Sequence, residues 1–358
     1  STGSYGILNV DSTTGTWILS DWYPILTGHE PDAGWRLDPP TTFGDPTFGD
    51  AALYQVALTL PAELQVVTSG SGVGEVTEGG NVTRRYVAGP ARDFALVVDA
   101  DYAAISQEVD GVTVTSYANP GAEAGAASAL EIAASALKVY SARFGAYPFA
   151  DLDLVDAALA GALGVAWTGI IFLDGPSLYG GMAAENPDGF AFVVAHEVGH
   201  QWWGVSVGAN SNDHTFMVEG LTTYTALVWA EEARGGETAD QLLARGVAGP
   251  YRQSLEERGD QVADLPIRDG QENRGPIFYG KAALGFLAIR ERIGDAAFFT
   301  ALDSYARDYA YRIAEPADLL AAFEDASGED LETLWRYWFE TAETTVEDVD
   351  ALLEQAAA

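Results

Sequence analysis

Near residue 105 the chain changes texture, and that change confines it to a fold with an all-β lobe ahead of a largely helical part. Up to about Tyr102, short β-branched and apolar runs alternate with Gly, Pro and Asp. The run Leu53-Tyr54-Gln55-Val56-Ala57-Leu58-Thr59-Leu60 has the period of two expected of a strand with one buried face. Leu64 to Thr68, Val82 to Val87 and Phe94 to Val98 read the same way, with Gly-rich turns between them. From Gly111 one more strand pattern, Val112 to Tyr117, gives way to an Ala-rich, turn-poor stretch from Ala122 to Phe144 that predicts a long helix. Strand signals return at Leu152 to Val155 and Gly169 to Leu173. Beyond Phe190 nearly every segment has helical periodicity, punctuated at Gly235-Gly236, Gly249-Pro250 and Gly270, with Glu315-Pro316 opening a fresh helix. The fold class is α+β: residues 1–104 as a β-rich N-terminal domain, and 105–358 as a domain of a small mixed sheet and a mainly helical part. A length of 358 residues agrees, being more than one hydrophobic core usually organises.

Charge and cysteine content narrow the chemistry. Fifty-three acidic against 18 basic residues give a net charge of −35, with Lys138 and Lys281 the only lysines, so repulsion excludes nucleic acid as a partner. The same charge attracts cationic substrates or simply solvates a surface suited to salty surroundings, and the second is the ordinary reading. No apolar run approaches the roughly 20 residues needed to cross a bilayer, so no membrane span is expected. The chain has no Cys, which removes thiolate nucleophiles and Cys-based zinc sites, and leaves His and carboxylates for any metal.

His196-Glu197-Val198-Gly199-His200 follows the apolar run Phe190 to Ala195 and precedes Gln201-Trp202-Trp203, so it lies inside a predicted helix. Residues four apart share a helix face, which sets two imidazoles side by side where one Zn²⁺ can take both, with Glu197 beside the open coordination position. A third ligand is needed. Of the four His, His29 and His214 stand in turn-rich sequence, so a carboxylate is the better candidate. Glu219 opens an apolar-periodic segment running to Trp229 after the turn-like residues 209–213. By itself, a Glu at a helix start reads first as a complement to the helix dipole.

The sequence resembles the aminopeptidase N and leukotriene hydrolase family of zinc metallopeptidases, whose signature is H-E-x-x-H, 18 residues, then Glu. Here 18 residues, 201–218, separate His200 from Glu219. Tyr279-Gly280-Lys281-Ala282-Ala283 is similar to the family's Tyr-x-Lys-Gly-Ala segment. Asp21-Trp22-Tyr23-Pro24, Arg92 to Leu96, Tyr147-Pro148 and Leu331 to Phe339 extend the likeness over nearly the whole chain. The resemblance implies a thermolysin-like catalytic domain and one zinc per chain on His196, His200 and Glu219. It also implies a peptide substrate, Glu197 as general base, and Tyr279 as hydrogen-bond donor to the oxyanion.

Two departures qualify what the resemblance implies. The family's Gly-x-Met-Glu-Asn edge strand lines the substrate, and its Glu grips the free N-terminal amine. The counterpart here is Gly164-Val165-Ala166-Trp167, which places Ala166 where that Glu belongs. Gly181-Met182-Ala183-Ala184-Glu185-Asn186 has similar letters but stands too close to His196, and Glu185 reads as a surface loop residue. The sequence also starts at Ser1 without an initiator Met or signal-like segment, later than the family's β domain, and ends soon after the catalytic part. It therefore reads as a processed, cut or reduced form with a relatively open site. The expected function is zinc-dependent peptide hydrolysis, aminopeptidase-like with a weakened amine anchor. Endopeptidase action, a non-catalytic peptide-binding relative and the epoxide hydrolase activity of one family branch stay open. Absent Cys and an acidic surface suit an extracytoplasmic enzyme, and a salt-adapted cytosolic protein fits them too.

Overall fold

The structure is a computed structural model that describes residues 8–30, 34–37, 49–159, 161–267 and 274–357. Its described residues form two compact units: 8–37, 49–138 and 147–201 in the first, and 139–146 and 202–357 in the second.

In the first unit a four-stranded sheet joins β1 (Leu8–Val10), β2 (Trp17–Leu19), β9 (Leu96–Asp99) and β6 (Gln65–Thr68) in the order β1-β2-β9-β6. A two-stranded ribbon pairs β3 (His29–Glu30) with β4 (Gly34–Trp35). Beside them β5 (Ala52–Pro61), β8 (Asn81–Ala91) and β7 (Ser71–Glu78) make an antiparallel meander. The alternation along β5 is used as the sequence implies. Tyr54, Val56, Leu58 and Leu60 pack on Tyr86, Phe94, Leu96 and Val98, while Leu53, Gln55, Ala57 and Thr59 face outward. Every residue of β9 is buried, because its two faces feed two cores. Leu96 and Val98 belong to the core just described, and Val97 joins Ile18, Val67, Val155, Trp167 and Phe172 in the other.

The second sheet has the order β10-β11-β12-β14-β13, from β10 (Ala103–Val109), β11 (Val112–Ala118), β12 (Asp151–Ala157), β14 (Ile170–Asp174) and β13 (Gly164–Trp167). β11, β12 and β14 run parallel, with α1 (Glu123–Phe144) as the crossover from β11 to β12. β10 and β13 are antiparallel edges. The α+β class and the long helix are as expected. β7 and β10 are additions, since neither carries an apolar stripe: β7 is exposed throughout and β10 over all but its last residue.

The longer of the remaining helices are α2 (Pro187–Gly199), α3 (Leu221–Arg234), α4 (Gly236–Leu242), α5 (Gly249–Arg258), α6 (Ala282–Asp308), α7 (Pro316–Ser327) and α8 (Val346–Ala356). Gly235 separates α3 from α4 with φ +91°, and α7 begins at Pro316, both as the punctuation predicts. Gly249-Pro250 does not break the chain's helical course. A widened turn over Leu243–Ala248 runs straight into α5, and Pro250 sits in the first turn, where its missing N–H is not needed. Gly270 lies outside the described residues. The short strands β15 (Gly208–Ala209) and β16 (Ile313–Ala314) pair in parallel. An aromatic cluster of Phe216, Phe286, Phe298, Phe323, Trp335 and Phe339 fills the core of this unit. Among the described residues no helix is long and apolar enough to cross a membrane.

Two carboxyls in the first unit titrate far from their ordinary range. Desolvation, then the neighbouring Asp151, pushes Asp153 up to about 8. Desolvation pushes Asp93 up to about 7 against the opposing hydrogen bond from the Thr168 N–H. Both lie above the unfolded value of about 3.9, so their stabilising contribution is complete below that pH and is lost as pH rises through the folded values. The melting temperature should therefore fall between about pH 4 and about pH 8, levelling off above, and Asp153→Asn should flatten that fall. Calorimetry across the range checks this, and a melting temperature that climbs with pH contradicts it.

Candidate metal centre

The helix that carries the motif is set by its own start. Asn186 caps α2 by accepting a hydrogen bond from the Gly189 N–H at 3.1 Å, and Pro187 opens the first turn. Phe190, Ala191, Val194, Ala195 and Val198 are buried along it, which fixes its rotation. His196 and Glu197, only 7% and 6% exposed, are held by that packing. The last turn keeps helical geometry, with the His200 N–H donating to the His196 carbonyl at 3.2 Å. The two Nε2 atoms come to 3.1 Å with their rings nearly perpendicular, at 87°.

Glu219 lies on the helical turn Phe216–Gly220 that leads into α3, and not at a free helix start. Its neighbour Gly220 is required there: a Cβ would lie 2.4 Å from Ala282 Cβ and 3.2 Å from the Phe278 carbonyl. The turn Gly275–Lys281 that carries Tyr279 therefore packs directly on the turn that carries Glu219. Lys281 anchors the Tyr279 turn. Its fully buried ammonium donates to Asp260 at 2.7 Å and to the Gln261 and Thr341 carbonyls at 2.8 and 2.7 Å, and burial lowers its pKa.

The ligand atoms of His196, His200 and Glu219 all lie within 4.8 Å of one another. Two imidazoles and one carboxylate make a donor set suited to zinc with a position left for water. The 3.1 Å between nitrogens is close to the roughly 3.3 Å that two Zn–N bonds of about 2.05 Å subtend at a tetrahedral angle. His29 and His214 take no part in this group. The His29 ring packs edge-on against Trp35, and His214 Nδ1 is 2.6 Å from Asp264, a hydrogen bond that raises its pKa.

Gly164, Val165, Ala166 and Trp167 form β13, the edge strand beside β14. Val165 and Trp167 point into the core, so Gly164 and Ala166 share the opposite face. That face meets the metal helix. A Cβ on Gly164 would lie 2.5 Å from Cγ, Cδ and Oε1 of Glu197. Glu185 is exposed, in the short helix Ala183–Glu185 and not in a loop as expected, and Asn186 caps α2. Two further residues on this seam have no role assigned from the sequence. Gln201 Nε2 donates to the Trp167 carbonyl at 2.9 Å, and its Oε1 accepts from the Gly169 N–H at 3.0 Å. Asp93 accepts from the Thr168 N–H at 2.9 Å. Adjacency to His200 is the sequence signal for the first, and membership of the segment Arg92 to Leu96 that for the second.

The peptidase family M1 domain matches residues 128–338, more than half of the chain. The chain belongs to peptidase family M1. It is 26% identical to aminopeptidase M1-A of Oryza sativa subsp. japonica over 339 residues, covering 87% of this chain and 36% of that protein. To the tricorn protease-interacting factor F2 of Thermoplasma acidophilum it is 26% identical over 218 residues, covering 58% of this chain and 28% of that one. It thus spans about a third or less of these curated relatives. The fold is similar to the M1 zinc metallopeptidase of Deinococcus radiodurans. A mutant of that protein bound to a Tyr-Ser-Ala substrate superposes with a TM-score of 0.66 at 21% identity, over 92% of this chain and 70% of that one. A two-domain M1 zinc metallopeptidase mutant bound to L-arginine gives 0.68 at 21%, over 94% and 72%. Zinc is the family's metal, and the donor set here fits it. The relatives' names lend no support to an extracytoplasmic location.

Gly164→Ala tests the seam between Glu197 and β13. The added methyl meets the mobile end of a side chain, so the protein should fold with a melting temperature within a few degrees of the parent and bind zinc normally. Displacing the carboxylate should lower kcat by about 10- to 100-fold, of the order that a misplaced general base gives. Unchanged kcat would show that Glu197 and Gly164 are not in contact.

Proposed function

We propose that the chain is a zinc-dependent peptidase, aminopeptidase-like, with a weakened hold on the substrate's free amine. It rests on one observation above all: His196, His200 and Glu219 converge while Glu197 packs on the glycine of an edge strand. We assign His196, His200 and Glu219 as metal ligands, Glu197 as general base and Tyr279 as oxyanion donor. Residues 1–104 and 105–358 are our proposal for the β-rich and thermolysin-like catalytic domains.

Zinc, when bound, supplies a Lewis acid that acidifies water and polarises the scissile carbonyl. The chain's own residues do the rest. A peptide adds to the free side of β13 as a further strand, its main chain paired with that edge. Glu197, against Gly164, then faces the bond to be cleaved, takes a proton from the attacking water and delivers it to the departing amine. The Tyr279 hydroxyl donates to the oxygen on which negative charge develops.

Ala166 sets the limit on specificity. On the face shared by Gly164 it presents a methyl group where an aminopeptidase of this family presents a carboxylate. A charge-assisted hydrogen bond to the amine is then missing, worth about 1.5–3 kcal/mol, or roughly 10- to 150-fold in kcat/KM. A blocked N-terminus is correspondingly less disfavoured, which opens the same site to internal bonds.

Two measurements test this reading. Glu197→Gln should retain stoichiometric zinc by metal assay while peptide hydrolysis drops by about 10²- to 10⁴-fold, and turnover near the parent's would refute the base assignment. A peptide and its N-acetylated twin should differ by less than about tenfold in kcat/KM with the parent protein, and Ala166→Glu should widen the gap towards the free amine. A strong free-amine preference in the parent would mean that another acid replaces the missing one.

A further inference from the structure

We infer that Gln201 and Asp93 are positioning residues that clamp the substrate strand β13 at a fixed distance from the metal helix. The inference rests on the peptidase reading and adds how the strand is held. β13 has only four residues and a ladder partner on one side. By itself such an edge is held weakly. Its end turns through Thr168 and Gly169, the latter at φ +69°, into β14.

Three main-chain groups of that turn are met by two side chains. Gln201 accepts from the Gly169 N–H and donates to the Trp167 carbonyl, and Asp93 accepts from the Thr168 N–H. Gln201 is fully buried, and one amide orientation alone satisfies a carbonyl and an N–H together. The residue before it is His200. One short stretch of chain therefore carries a metal ligand and grips the end of β13, while Glu197, four residues earlier, rests on Gly164 at the other end. Asp93 reaches the same turn from the β lobe, just before β9. A peptide laid along β13 takes its distance from the metal from these contacts. Loosening them misplaces an extended substrate and leaves metal binding alone, and a shift near 1 Å is enough to cost about 10²-fold in rate.

Gln201→Met keeps the volume and removes the bonds to the Trp167 carbonyl and the Gly169 N–H, along with the long one from the Tyr147 hydroxyl at 3.5 Å. The expected result is stoichiometric zinc and unchanged inhibition by acetohydroxamate, which needs the metal alone. Alongside these, kcat/KM should fall at least tenfold for a tetrapeptide and less than threefold for an aminoacyl anilide, which barely touches the strand. If Gln201→Met does not fold, the other side of the turn gives the same reading. Asp93→Asn retains an acceptor for Thr168 and should keep the parent's tetrapeptide-to-anilide ratio, whereas Asp93→Leu should lower it. A parent protein that binds zinc but cleaves neither substrate overturns the peptidase reading and the clamp with it. A cleaving parent whose variants keep its ratio overturns the clamp alone.

Discussion

The contact between the Glu197 carboxylate and the bare Cα of Gly164 is the constraint around which the first unit is arranged. A helix can bring a carboxylate this close to a strand only where the strand has no side chain and stands at the edge of its sheet. β13 meets both conditions. β14 is buried along its whole length, and a helix above it would meet isoleucine and phenylalanine instead of free main chain. The antiparallel addition of β13 to an otherwise parallel run supplies an edge strand directly beside Glu197.

Each unit also holds a polar side chain taken out of water and fully paired. Gln201 is satisfied by two main-chain partners, and Lys281 by a carboxylate and two carbonyls. A buried ammonium is costly unless every proton finds an acceptor, and here three acceptors stand within 2.8 Å. Desolvation lowers the lysine's pKa while Asp260 opposes that shift, so the pair is held by geometry more than by net electrostatic gain. Its effect is local: the turn bearing Tyr279 is tied to the segments around residues 260 and 341.

The parts legible in the sequence share a physical reason. Period-two alternation in β5 and the Ala-rich run of α1 report one-sided burial and helix propensity, which single residues carry by themselves. His196, Glu197 and His200 were legible because their spacing is itself the geometry of a helix face. β10 was missed although Asp110-Gly111, at φ +50° and +89°, is the two-residue turn that joins it to β11. Its apolar stripe is absent, and only the turn chemistry announced it. Gln201 and Asp93 were illegible for a different reason. Their partners are main-chain groups 34, 32 and 75 positions away, and nothing in a residue's type encodes a backbone partner at that range. Gly249-Pro250 misled because a proline in the first turn of a helix has the same letters as one that ends it.

On the reading proposed above, Ala166 changes the charge balance of the site as well as its grip. Glu219 already brings a carboxylate to the candidate centre, and the proposed base Glu197 adds a second beside Gly164, in a chain whose net charge is −35. A third carboxylate on the same face as Gly164 would add repulsion that a bound ammonium helps to offset. With a methyl group there, the charge facing the metal and the base stays the same whether the substrate brings a free amine, a blocked one or an internal bond. On that reading the chemistry at the metal is uncoupled from recognition of the chain end, and selectivity falls to the proposed strand pairing along β13. That pairing reads main chain more than side chain, so the hold on β13 matters more here than it would in a site with a carboxylate to catch the amine.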